Sequence, residues 1–239
     1  MNANYEKTLN ENFNKALNLC ENSYSHSELL DFLKFGNIPE KQYASLMLSH
    51  LDSFEDAQVF ISNLVNCDGK IREAVAQKLL EFSVKPEYCY YFSKFPEILT
   101  KGTIDINANI SRMVIEALER LVGYSEFGIA YTKMIINYIQ DSFNGLDKII
   151  YKDKKYLINK QLFKLYWCLE VLKSYYIYID KEILHSLLER ALREDEYTIK
   201  EKVTQILVRM KNPYYNDLLE IVKNDDNYYV QRIFQSLSD

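Results

Sequence analysis

Apolar residues recur along this chain at steps of three and four, broken by short polar phrases that open each new run. That period predicts amphipathic helices over most of the length. Residues 4–21 form an opening helix with Leu9, Phe13, Ala16, Leu17 and Cys20 on one face. Ser25 or Ser27 caps a short second helix holding Leu29, Leu30 and Leu33, which Gly36 stops. Pro39 sits in a first turn, followed by Tyr43, Leu46, Met47 and Leu51 in step. Ser53 caps a helix bearing Phe60, Ile61 and Leu64, and Asp68 caps the next. Pro86 opens a helix rich in Tyr and Phe that Pro96 is expected to break. Residues 108–122 carry Ile110, Met113, Val114, Ala117, Leu118 and Leu121, with Gly123 as the stop and 125–141 as the partner helix. From 142 to 157 the period fails around Asn144-Gly145 and Lys152–Lys155, and the segment is read as an irregular insertion, a loop or a hairpin. Helix resumes near Asn159, and Asp180 caps a run to Leu192.

The polar phrases themselves repeat. Asp195-Glu196-Tyr197-Thr198-Ile199-Lys200 returns 31 residues later as Asp226-Asn227-Tyr228-Tyr229-Val230-Gln231, and Asp68-Gly69-Lys70-Ile71-Arg72 is a third version. The first aliphatic residue after each helix start gives a ruler of Ile71, Ile110, Ile158, Ile199 and Val230, with a less regular copy near Ile38. Self-similarity at this period marks stacked helix pairs, in which no unit buries its apolar face alone. The order Asp, aliphatic, Arg or Lys, then Ala or Val resembles the HEAT family of repeats, most of all the short-period subtype found in phycobilisome-lyase-like proteins. Asp68–Ile71–Arg72 and Asp195–Ile199–Lys200 fit best, Gln231 loses the cation, and the copies at Ile110 and Ile158 depart further.

The resemblance implies an all-α, right-handed alpha-alpha superhelix, a HEAT/armadillo-like solenoid of about six helix pairs, binding macromolecules on a concave face. The expected organisation is a single domain, 1–239: N-terminal capping helices over 1–36, repeats over 37–141, the insertion at 142–157, and C-terminal repeats over 158–239. Arg72 and Lys200 have two readings, a structural ladder to an aspartate near the next turn or contacts to a ligand.

Composition narrows the class. Only 6 Gly and 4 Pro occur in 239 residues, too few turn formers for an all-β or doubly wound fold of this size. Residues 1–22 contain no run of apolar residues able to act as a signal core, and no stretch approaches a membrane span. The four cysteines, Cys20, Cys67, Cys89 and Cys168, lack metal-ligand spacing, so they are read as thiols of a cytoplasmic protein. A net charge of −5 argues against a chain devoted to gripping phosphate.

No Gly-rich phosphate loop, nucleophile elbow or paired-histidine motif is present, so neither catalysis nor a cofactor is expected. His26, His50 and His185 are too dispersed to form a recognisable ligand set, and each is read as a solvated helix residue. Cys168 lies in an apolar run and is read as a core thiol. The polar residues one turn into the inner helices are the candidate partner-binding surface: Glu73, Gln77, Arg112, Glu116, Lys160, Lys164, Glu201 and Gln205. Their mixed signs suit a protein or peptide partner better than a polyanion. An alternative class rests on 147–164, where Lys152, Lys154, Lys155 and Tyr156 combine cations with an aromatic face, as nucleic-acid binding requires. Tyrosine pairs such as Tyr214-Tyr215 and Tyr228-Tyr229 cannot all face inward on a helix, so part of each cluster should reach solvent.

Overall fold

The computed structural model describes residues 13–14, 17–149 and 154–238, with the side chains of 237 and 238 left aside. The protein is all-α, and no strand occurs among the described residues. The chain divides into two compact units, Met1–Leu121 and Val122–Asp239.

The first unit contains α1 (His26–Phe35), α2 (Ile38–Met47), α3 (Phe54–Ser62), α4 (Gly69–Phe82), α5 (Pro86–Phe92), α6 (Pro96–Thr103) and α7 (Ala108–Glu119). Here α2 packs on α4 and α4 on α7, a row of helices backed by the others: α1 lies against α2 and α3, α3 against α5, α6 against α7. Between them Leu33, Leu48, Phe60, Ile61, Leu64, Leu79, Phe92, Leu99, Ile110 and Leu118 are almost wholly buried. Each such side chain contributes about 1.5–3 kcal/mol of transfer free energy.

The second unit contains α8 (Ser125–Asp147), α9 (Lys155–Tyr175), α10 (Lys181–Leu192), α11 (Tyr197–Met210), α12 (Asn216–Lys223) and α13 (Tyr228–Ser238), with single 3₁₀ turns at Tyr176–Tyr178 and Pro213–Tyr215. Its row is α9, α11 and α13, with α8 on α9 and α10 and α12 on α11. Tyr131, Ile135, Ile139, Leu165, Leu169, Leu172, Tyr175, Ile199, Val203 and Val230 fill this core.

Helix starts follow local chemistry. Ser25 and Asn37 each head a capping box, with Glu28 and Glu40 bonding back to the cap N–H. The starts of α4, α7, α11 and α13 share a finer pattern. The caps Asp68, Asn107, Glu196 and Asn227 accept a backbone N–H two residues on. Three residues past each cap stands a buried aliphatic: Ile71, Ile110, Ile199 or Val230. Four past it stands a linking side chain: Arg72, Ser111, Lys200 or Gln231. Arg72 Nε and Nη2 donate to the two carboxylate oxygens of Asp105 at 2.7 and 3.1 Å, and Nη1 donates to the Cys67 carbonyl. Lys200 Nζ reaches Asp225 at 2.8 Å. Asp105 and Asp225 lie in the turns that open α7 and α13, where each also accepts the N–H of the following cap, Asn107 or Asn227. Ser111 and Gln231 instead bond the Asp105 and Asp225 carbonyls. On α2 the residue four past its cap, Lys41, bonds the buried Asn63 side chain at 3.0 Å. Arg72 and Lys200 are therefore a ladder: each ties one helix to the turn before the next in its row.

The break at Pro96 is present: the helix opened by Pro86 ends at Phe92, and Pro96 opens α6, since a proline costs no hydrogen bond in the first turn. Several expectations are corrected. Helix α8 runs through Asn144 and Gly145 to Asp147, and α9 begins at Lys155, so the helices take up most of the 142–157 insertion. Residues 150–153, including Lys152, lie outside the described residues. The caps of α11 and α13 are Glu196 and Asn227, the second residue of each repeated phrase. Ile158, counted in the ruler, is only half-buried. In the opening helix Leu19 is the buried residue, while Phe13 and Leu17 are 63% and 47% exposed, so the predicted stripe is out of phase. Leu9 and Ala16 lie outside the described residues.

The Arg72–Asp105 rung is nearly enclosed, with side chains 18% and 9% exposed. A double-mutant cycle of Arg72→Met and Asp105→Asn, read by urea unfolding, should give a coupling of about 1–3 kcal/mol. Additive losses would remove the rung from the account of this row.

Candidate functional site

Two grooves lie along the two helix rows, one in each unit. In the first unit, spacings of three and four place Gln42 and Leu46 on α2, Lys70, Glu73, Ala74 and Gln77 on α4, and Asn109, Arg112 and Met113 on α7 around a groove of about 420 Å³. Its lining combines the apolar Leu46, Ala74 and Met113 with polar side chains of both signs. The Asn109 amide lies 3.5 Å from Glu73 Oε1, bridging α4 and α7 across the groove. The pairing of Arg72 with Asp105 keeps that guanidinium out of the groove and leaves Lys70 and Arg112 as its cations.

In the second unit Lys173 on α9, Gln205, Val208 and Arg209 on α11, Lys211 just beyond it, and Ile233 and Ser236 on α13 enclose about 580 Å³. Lys211 stands in the left-handed region at φ 46°, ending α11 abruptly. At the α9–α11 contact, Glu170 accepts from Lys173 on its own helix and from Lys202 on α11, the latter at 2.5 Å. The Lys202 ammonium also sits 4.5 Å from the centre of the Tyr166 ring. Burial pushes the Glu170 carboxyl up, but the bonds from Lys173 and Lys202 outweigh it and hold the group below the usual range. Lys202 shows the matching upward shift: burial lowers it and the Glu170 bond more than restores it.

The predicted surface residues scatter. Arg112 and Gln205 line the grooves, joined by Glu73 and Gln77. Glu116 and Lys160 are exposed elsewhere on α7 and α9, and Lys164 and Glu201 are half-buried. Lys154, Lys155 and Tyr156 stand exposed at the start of α9, with Tyr156 at 73%, whereas Phe163 packs edge-on against the buried Trp167. Part of each tyrosine cluster reaches solvent: Tyr88, Tyr175 and Tyr215 are core, Tyr90 and Tyr214 are exposed, and Tyr228 and Tyr229 are both exposed. Burial pushes the Cys168 thiol up to about 12, which leaves no thiolate to act as a nucleophile near neutral pH.

Sequence reasoning missed two things. Gln42, Lys70 and Asn109, and the cations Lys173, Arg209 and Lys211, line the grooves although nothing in their neighbourhood marks them. The histidines are not all isolated either: His26 and His50, 24 positions apart, stack at 4.4 Å between ring centres beside Asp52 and Asp56. His185 separately bonds Asp217 at 2.7 Å.

No protein-family model matches the chain, and no curated protein matches it. Among solved structures, two engineered proteins from the Northeast Structural Genomics Consortium superpose over 90% of this chain and 96% and 98% of theirs, each with a TM-score of 0.48 and 12% identity. A likeness at that level carries no argument about fold family or function. No helix among the described residues is long and apolar enough to cross a membrane.

The Glu170 cluster predicts an acid limb in stability. The folded carboxyl titrates below its unfolded value, so its contribution is full above an ordinary Glu pKa of about 4.3 and is lost as pH falls through the folded value. Chemical unfolding from pH 7 down to pH 3 should show Glu170→Gln less stable than wild type at neutral pH, with the gap closing below about pH 4.3. A gap independent of pH would contradict a charged Glu170 between the two lysines.

Proposed function

We infer that this protein is a non-enzymatic adaptor or scaffold, cytoplasmic, that presents a preformed groove to a segment of a protein or peptide partner. The finer architecture behind this reading is a right-handed superhelix of about six HEAT-like helix pairs. It is supported by the shared pattern of cap, buried aliphatic and linking side chain at four helix starts. Four free cysteines accord with a reducing compartment.

One observation carries the binding reading: the α2–α4–α7 row carries an open groove lined by the apolar Leu46, Ala74 and Met113 together with Lys70, Glu73, Gln77 and Arg112. The helices fix the backbone that carries those side chains before any partner arrives, so the ordering entropy lost on binding is confined to side-chain rotamers. Mixed charge favours a peptide bearing both signs over a uniform polyanion.

A second reading has its own observation. Lys154, Lys155 and Tyr156 project into solvent at the first turn of α9, where the helix dipole adds positive potential. That patch suits single-stranded nucleic acid.

The two readings separate in one experiment. Tagged protein captures partners from a lysate of its source cells, with and without nuclease, as wild type, as Arg112→Glu with Gln77→Ala, and as Lys154→Glu with Lys155→Glu. The adaptor reading expects a stoichiometric protein that survives nuclease and whose affinity falls about tenfold or more with the groove variant alone. Partners lost to nuclease and to the lysine variant would transfer the function to the start of α9.

A further inference from the structure

Four side chains from three elements of the first unit meet at one point outside both grooves. His26 opens α1, His50 and Asp52 lie in the loop between α2 and α3, and Asp56 is in the first turn of α3. His26 Nε2 is 2.9 Å from Asp56 Oδ2 and 3.6 Å from Asp52 Oδ2, while His50 Nε2 is 3.4 Å from Asp52 Oδ1. One carboxylate therefore touches the Nε2 atoms of both imidazoles. The ligand atoms offered by His26, His50 and Asp52 all lie within 4.8 Å of one another.

We propose that His26, His50 and Asp52 form a binding site for a divalent first-row transition metal ion, zinc being the type case, with Asp56 as a fourth ligand or as the group that orients His26. The distances match the coordination. Metal–nitrogen and metal–oxygen bonds of about 2.0–2.2 Å in a tetrahedral shell separate ligand atoms by about 3.3–3.6 Å. Two imidazoles with one or two carboxylates suit zinc, cobalt or nickel. Calcium and magnesium, which prefer an all-oxygen shell, fit poorly.

Surrounding bonds already orient the ligands. Ser49 Oγ lies 2.8 Å from His50 Nδ1, a contact that fixes the ring plane with Nε2 toward Asp52; the tautomer with its proton on Nδ1 leaves the Nε2 lone pair for an ion. The Asp52 backbone N–H donates to Asp56 Oδ2 at 2.9 Å, fixing that carboxylate beside His26. One divalent ion accepts lone pairs from both rings, which stack at 4.4 Å, and balances the carboxylates beside them. His26 Nδ1 is buried with no hydrogen-bond partner, so the ring's polar contacts are all made through Nε2, the atom that faces Asp52 and Asp56. Binding would clamp the start of α1 to the α2–α3 loop, outside the groove lining, so the site stands whether or not the adaptor reading does.

The test uses the untagged 239-residue chain after treatment with a chelator. Titration with cobalt(II), followed by its visible absorbance, and with zinc(II), followed calorimetrically, should each show one saturable site filled by about 0.1 mM ion. Zinc should also raise the thermal unfolding midpoint. His50→Asn and Asp52→Asn replace half-exposed or exposed side chains and should fold; each should weaken binding at least tenfold and abolish the thermal shift. His185→Asn and Cys20→Ser should bind as wild type does. No saturable binding up to about 0.1 mM, or binding that survives His50→Asn and Asp52→Asn together or is lost with Cys20→Ser, would overturn the assignment.

Discussion

A helix leaves its first N–H groups unpaired, and in this chain the turns that satisfy them also join one helix to the next. Asp105 accepts both the Arg72 guanidinium of α4 and the N–H of Asn107, which caps α7. Asp225 does the same for Lys200 of α11 and Asn227 at the start of α13. Capping and register are thus one interaction. A helix pair with only one apolar stripe must stack to bury it, and these aspartates fix where along the stripe the neighbour sits. The grooves follow from that spacing, because residues three and four apart on adjacent helices open side by side.

The same economy governs the charges in the interior. Arg72, Lys200 and Lys202 are enclosed only where a carboxylate meets them, since an unpaired buried charge would cost more than its burial returns. Pairing them withdraws their cations from the surface and leaves the groove rims to Lys70, Arg112, Arg209 and Lys211. The division between structural and available cations is therefore a matter of which side chains have an aspartate or glutamate within reach.

Much of this was legible in advance. The caps at Asp68 and Asp180, the buried Ile71, Ile110, Ile199 and Val230, and the ladder reading of Arg72 and Lys200 follow from period and local hydrogen bonding, which act within one turn. The errors share a cause as well. Asn144-Gly145 points to a loop by local chemistry, yet a single helical glycine is overruled by packing and α8 runs through it. The opening stripe was misphased because residues 13–20 offer two overlapping apolar faces, and only contact with the rest of the unit selects Leu19.

The site was less legible than the fold. Arg112, Glu73, Gln77 and Gln205 were found because helical phase points them away from the core, but phase alone also nominated Glu116, Lys160, Lys164 and Glu201, which line neither groove. His26, His50, Asp52 and Asp56 were passed over because a ligand set built across a helix start, a loop and a second helix has no spacing to recognise. By itself the sequence determined the helices, their caps and the aliphatic positions that face inward, since each depends on neighbours within about four residues. Only the tertiary structure decided which polar side chains share a groove, which cations are neutralised, and which histidines meet, because those depend on distances between helices that no local pattern encodes.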